Sequence, residues 1–158
     1  YRDAELFELA YQAYDQRAKS GGWEEERWVA QCWAARLMER LNYPTEQVFT
    51  AYLQTWIARQ QRAEPLYELA RYYRLKKMFD LACYFAAQAV AIAQPDDILF
   101  VDVDVYQWRA LDELSVAATY CPAYKQAGRK AMMQLIQEQK FPVTQKERIM
   151  GNAKFYSE

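Results

Sequence analysis

Histidine is absent from this chain of 158 residues. That removes the commonest metal ligand and the usual general base near neutral pH. Glycine and proline are scarce, 4 and 5 residues, which favours long helices over a many-stranded sheet with its frequent turns. The three cysteines, Cys32, Cys83 and Cys121, stand far apart with no C-x-x-C pair. An odd count at such spacing suits reduced, partly buried thiols in a cytoplasmic protein. No apolar run reaches the ~20 residues needed to span a bilayer, so no membrane span is expected, and no signal peptide is visible. Net charge is −1 with Lys and Arg dispersed along the chain, so the basic footprint of nucleic-acid binding is missing.

Apolar and aromatic residues are plentiful: 53% hydrophobic, with 13 Tyr, 7 Phe and 5 Trp. That is a globular composition, and the length suits one domain over residues 1–158 with its own core. Most of the aromatics must be core, so Trp23, Trp28, Trp56 and Trp108 are expected to pack rather than stack on a ligand. The chain opens at Tyr1, which fits a processed or excised piece of a longer polypeptide.

The segment RAEPLYELARYYRLKKMFDLACYFAAQAVAIAQP, Arg62 to Pro95, repeats apolar residues at the spacing of one helix face. Leu66, Leu69, Ala70 and Tyr73 mark a first helix, and Phe79, Ala82, Ala86 and Ala89 mark a second after a short turn. This resembles the tetratricopeptide repeat, W-x₂-L-G-x₂-Y, A-x₃-F, then P, over about 34 residues. Leu stands for Trp, Ala for Gly, and Lys77 sits where a turn glycine is common. Small residues such as Ala70 and Ala82 allow close helix approach, and Tyr73, Phe79 and Phe85 fill the space beside them.

The pattern recurs. Residues 29–62 read as two helices, the first through Cys32, Ala35, Met38 and Leu41. The second, opened by Thr45 as N-cap, carries Val48, Tyr52 and Trp56. Residues 108–141 read likewise, with Leu111, Leu114 and Ala118, then Tyr124, Ala127 and Ala131 after the breaker Cys121-Pro122. Residues 1–28 form a partial repeat, with Tyr1 at the last place of a first helix and Phe7, Ala10 and Tyr14 in a second. A capping box, Thr144 to Glu147, signals a final helix over about 144–156. The expected fold is all-α, a right-handed α-solenoid of tetratricopeptide-type hairpins closed by a C-terminal capping helix. An unrelated helical bundle is the alternative.

Residues 97–107 contain ILFVDVDVY, a β-branched run with Asp102 and Asp104 in the D-x-D spelling of metal- and diphosphate-binding transferases. One strand-like run has no partner strands and cannot build the mouth of a nucleotide pocket. It reads instead as an extended connector. Ile98, Phe100 and Val101 would pack on flanking helices, and Asp104 would cap the next helix with Gln107.

Together, SGGWEEERW, RAEPLYELARYYR, PDDILFVDVDVYQWRALDELSVAA and RIMGNAKF resemble the tetratricopeptide-repeat region beside the catalytic domain of bacterial family-2 glycosyltransferases. The resemblance spans nearly the whole chain. It departs at Lys76-Lys77-Met78 and Cys121-Pro122-Ala123, where that family tends to have glycine-bearing turns. It implies a module with no catalytic residues, no cofactor and no metal of its own. Such a module would bind a protein or peptide, or self-associate, alongside a covalently linked glycosyltransferase domain. Whether the full-length polypeptide is an enzyme stays open. Two other readings stand beside it: the Asp102/Asp104 loop contributes to a sugar-nucleotide site, or the chain is a freestanding adaptor.

Stacked hairpins leave a groove lined by each repeat's first helix. The register projects Trp33, Leu37 and Arg40 there, then Glu64, Tyr67, Arg71 and Arg74, then Arg109 and Asp112. Aromatic rings beside forked guanidinium groups suit peptide recognition. A solvated face with local pairs, such as Glu64 with Arg71, is the alternative. The two-carboxylate clamp known in some repeat proteins needs asparagines where this chain has Trp33, Leu37, Tyr67 and Arg71, so that grip is not expected.

Overall fold

A computed structural model describes residues 2–157, and they contain helices and no strand. The place given above to Tyr1 lies outside the described residues. The helices are α1 (Arg2–Lys19), α2 (Glu24–Arg40), α3 (Thr45–Ala58), α4 (Glu64–Leu75), α5 (Phe79–Val90), α6 (Ala110–Ala117), α7 (Lys125–Glu138) and α8 (Val143–Asn152). A π-helical turn, Val105–Arg109, leads into α6, and a short 3₁₀ turn, Ala153–Tyr156, follows α8.

The chain divides into two compact units. The first comprises residues 1–65 and 95–101. In it α2 packs between α1 and α3, burying Ala30, Cys32, Ala34 and Ala35 with Val48 and Tyr52. Trp28 donates its indole N–H to the Thr55 carbonyl at 2.8 Å, and Tyr52 donates to Glu39 at 2.8 Å. The second unit comprises residues 66–94 and 102–158. Here α6 packs on α5 and α7, around Leu69, Ala82, Ala86, Leu111, Leu114, Met132 and Leu135. Ile149 and Tyr156 are buried with them, and Tyr156 donates its hydroxyl to the Ser115 carbonyl. Gly128 on α7 faces the Ala118 methyl and the Tyr156 ring so closely that a Cβ there would overlap both.

The turns after α2 and α4 share one construction. Asn42 and Lys77 adopt left-handed φ values of 56° and 59°. The next residue's N–H then reaches back to the helix, Tyr43 to the Met38 carbonyl at 3.0 Å and Met78 to that of Tyr73 at 2.9 Å. This six-residue closure is the usual home of glycine. Lys77, the departure noted in the sequence, accepts the geometry rather than changing it. All three cysteines are buried and none is in a disulfide; the Cys121 thiol donates to Asp80 at 2.6 Å.

Several expectations need correction. Thr45 is already helical, the chain entering α3 from Pro44. Asp104 makes no side-chain cap bond and itself has helical dihedrals, and α8 is entered from Pro142 without a side-chain cap, so Thr144 and Glu147 form no capping box. Proline fixes its own φ and pre-sets the chain for a helix start, leaving these hydroxyls no capping role. The connector is also shorter than 97–107, because the helical turn begins by Val105. Val105 is almost fully buried, and that burial outweighs its modest helix propensity. Finally, Ile98 and Phe100 do not pack. They are 80% and 76% exposed, and Leu99 between them lies on Trp28, Val29 and Cys32. The chain bends at Leu99 and Phe100, so that Leu99 is seated while its neighbours face outward. Phe100 holds a φ of 45°, a left-handed conformation costing roughly 1–2 kcal/mol for a residue with a Cβ.

Candidate functional site

Of the nine residues projected onto a groove, three lie on α2. Trp33 is exposed, its ring stacked with Tyr14 at 6.2 Å and capped by the Arg36 guanidinium at 4.8 Å. Arg40 lies over the Phe7 ring at 5.0 Å. Leu37 is buried, so it fills the first unit's interior instead of facing outward. A cleft of about 580 Å³ lies among α1, α2 and α3. Its floor of Ala34, Ala35 and Ala51 is edged by Tyr11, Gln31 and Gln54. The small side chains account for the open space.

Glu64, also projected onto the groove, is buried in a charge cluster. It accepts from Arg62 at 2.8 Å. Arg62 is 1% exposed. It also reaches Asp97 at 3.2 Å and the Leu99 and Phe100 carbonyls at 3.3 and 3.1 Å, and its guanidinium lies 4.3 Å from the centre of the Trp28 ring. Arg59 adds a two-pronged pair to Asp97, both bonds 2.6 Å. The hydrogen bonds from Arg59, and then those from Arg62, hold the Asp97 carboxyl below the usual carboxylate range. Glu25 receives the Ile98 and Leu99 N–H groups at 3.2 and 2.9 Å. The cluster fastens the connector to the first unit.

The second unit gathers the remaining predicted residues. Arg74 on α4 pairs through two bonds with Glu113 on α6, at 2.5 and 2.9 Å. One turn earlier, Arg71 pairs with Glu68 at 3.0 and 2.9 Å. Asp112 accepts two bonds from Arg148 of α8, at 3.1 and 2.8 Å. Tyr67 lies in this charge field, near enough to feel Glu68, Glu113, Arg109 and Arg71. It is buried, and desolvation first, then the two glutamates, pushes its hydroxyl up to about 12. The phenol therefore stays a neutral donor across the physiological range. Burial keeps the ring itself from broad contact with a partner.

Comparison with protein-family models, curated proteins and solved structures finds no match.

Arg109 differs from its neighbours. It is 40% exposed and sits 3.9 Å from Asp102 and 3.8 Å from Asp104, beyond hydrogen-bond length for either pair. It occupies the end of the π-helical turn, closed by the Ala110 N–H to the Val105 carbonyl. Such turns insert an extra residue into a helix and re-aim the side chains beside it. Among the five acids of this face, Glu68, Asp112 and Glu113 lie further from solvent than the arginines they hold. The outward layer is thus largely guanidinium. It can offer forked donors to carboxylates or backbone carbonyls.

The predicted set missed Glu68, Glu113, Arg148 and the Arg59–Arg62–Asp97 cluster. Glu68 and Arg71 stand three residues apart on one helix, a spacing that signals a pair. Nothing local signals Arg74 with Glu113 or Arg148 with Asp112, which are 39 and 36 residues apart.

Proposed function

We propose that this chain is a non-catalytic interaction module of tetratricopeptide type, attached to or acting with a bacterial glycosyltransferase. Its partner is a protein or peptide carrying carboxylates, taken on the α4–α6 face. The observation that carries this reading is Arg109, half-exposed in the unit of the hydrogen-bonded arginines and itself held by long ion pairs and the Trp108 ring. Helix pairs joined by short turns support the repeat assignment. So does the one-repeat spacing between Thr45 and Phe79, the first residues of α3 and α5. A catalytic role for the D-x-D pair is the weaker reading, because Arg109 already places a cation beside both Asp102 and Asp104.

Calorimetric titration tests the reading with acidic peptides ending in a free carboxylate, against neutral amidated counterparts. The acidic set is expected to bind, and Arg109→Ala to weaken it at least tenfold, the loss of about one charge-assisted contact. A sugar nucleotide with Mn²⁺ is expected to give no heat. Binding of that nucleotide, lost in Asp102→Ala with the helical content intact, would replace this proposal with the transferase-site reading.

A further inference from the structure

Two thiols outside the α4–α6 face meet in the second unit. Cys83 lies on α5 with no exposed surface, and Cys121 is 3% exposed between two 3₁₀ turns, Ala118–Tyr120 and Pro122–Tyr124. That segment is laid against the start of α5, where Tyr120 stacks on Phe79 with ring centres 4.1 Å apart. One residue on, Asp80 accepts from the Cys121 thiol at 2.6 Å. Cys83 follows Asp80 by three residues and so shares its helix face. Its thiol donates to the Cys121 sulfur, completing a chain from Cys83 through Cys121 to the Asp80 carboxylate.

Each link has a chemical consequence. Burial first, then the charge of Cys121, pushes the Cys83 thiol up to about 12, and the Asp80 hydrogen bond first pushes Cys121 up. Both are therefore protonated at neutral pH and poor nucleophiles at rest. The acceptor already on the Cys121 S–H changes this during attack, because a neighbouring base takes the proton as the new bond forms. Asp80 is exposed, so molecules the size of water reach the carboxylate that holds the sulfur.

We propose that Cys83 and Cys121 are an oxidation site, closing to an intramolecular disulfide when hydrogen peroxide reaches them. Cys121 is the attacking sulfur. It displaces hydroxide from the peroxide O–O bond and its proton passes through Asp80 to that hydroxide, leaving a sulfenic acid on Cys121 and one water. Cys83, in contact with it, then attacks the Cys121 sulfur. The S–S bond forms, the S–O bond breaks, and the Cys83 proton leaves with the hydroxide as a second water. The two thiols give up two electrons and the peroxide takes them up. The bond fastens α5 to the turn between α6 and α7, and a dithiol reverses it. The site shares no residue with the α4–α6 face, so it stands or falls separately from the peptide reading.

Peptide mapping by mass spectrometry tests it on the full chain, after peroxide treatment and alkylation of the remaining free thiols in denaturant. The peptides bearing Cys83 and Cys121 are expected joined, with Cys32 of the first unit alkylated and dithiothreitol separating the pair. Cys83→Ala removes the second thiol, so dimedone should capture Cys121 as its sulfenic acid. Asp80→Asn should slow cross-linking at least about tenfold, the loss of a positioned base, with an unchanged circular dichroism spectrum showing the fold intact. Met133, 64% exposed, gauges the dose. Three alkylated cysteines after an exposure that oxidises Met133 would overturn the proposal, as would a disulfide made by Cys32 or between two chains. An Asp80→Asn rate equal to that of the unaltered chain would overturn the roles given to Asp80 and Cys121.

Discussion

Arg62 and Arg109 are both arginines set between two acids and beside a tryptophan, and they serve opposite ends. Arg62 is sealed, its donors spent on Glu64, Asp97 and two carbonyls and its face laid on Trp28. Arg109 lies half in water, 3.8 and 3.9 Å from its acids and 5.5 Å from the centre of the Trp108 ring. A guanidinium with every donor occupied is a fastener. One with open donors above a layer of carboxylates is a contact point. The partner types are alike in the two places, so burial and bond length separate structure from recognition.

The sharpest way to break the comparison is Arg62→Ala. It would strip the buried Glu64 of its Arg62 bonds and leave Asp97 with one arginine of two, a loss of about 3–5 kcal/mol for a broken buried pair, and would remove a desolvated cation–π contact. Chemical denaturation followed by circular dichroism should show the midpoint falling without a change in slope. A loss under about 1 kcal/mol would mean that the connector is held by Leu99 packing, Glu25 and the Arg59–Asp97 pair.

Alkaline pH tests the second unit next. Tyr67 and Tyr156 are raised to about 12, burial being the first cause in each. A raised folded value contributes stability that is complete below the ordinary tyrosine range. It is lost as pH climbs from about 10 to about 12, on the order of 2 kcal/mol for each ring. Tyr67→Phe cannot ionise and should flatten that limb. In the first unit the sign reverses: Asp97 is depressed by Arg59 and Arg62. Its contribution is present above the ordinary carboxylate range and falls away below about pH 4.

Between these extremes stands Arg74, partly exposed but bonded twice to a buried Glu113. Arg74→Ala strands that carboxylate and should cost about 1–3 kcal/mol, less than Arg62→Ala because water can reach the site. Thermal melts of the two variants, run together, check the order.

How much of this was legible depends on the range of the interaction. Helix positions follow from apolar spacing, as with Leu66, Leu69 and Tyr73 on α4 or Leu111 and Leu114 on α6, because one buried stripe imposes a 3.6-residue period. Helix starts are less legible: Thr45 and Thr144 spell caps, but each already lies inside a helix whose N-cap is a proline. On the candidate face, spacing nominated Tyr67, Arg71, Arg74, Arg109 and Asp112, which the fold does gather in one unit. Of the nominated residues, Leu37, Glu64 and Tyr67 are buried. A helical projection gives direction and not depth, so it cannot tell a side chain facing a groove from one facing a neighbouring helix. The partners Glu113 and Arg148 come from distant helices and leave no trace in local pattern.

The smallest expected effect is the most telling. Arg109→Ala should shift stability by no more than about 0.5 kcal/mol, because ion pairs this long at a half-exposed site gain little over water. Asp102 and Asp104 are open enough to be hydrated once the guanidinium is gone, so no buried charge is stranded. The variant therefore separates the two roles in one measurement, a near-unchanged melt beside a loss of acidic-peptide binding. A drop as large as that of Arg74→Ala would show instead that Arg109 fastens the start of α6. The contrast with Arg62 would then vanish, since both arginines would be structural and the α4–α6 face would hold no open donor for a partner.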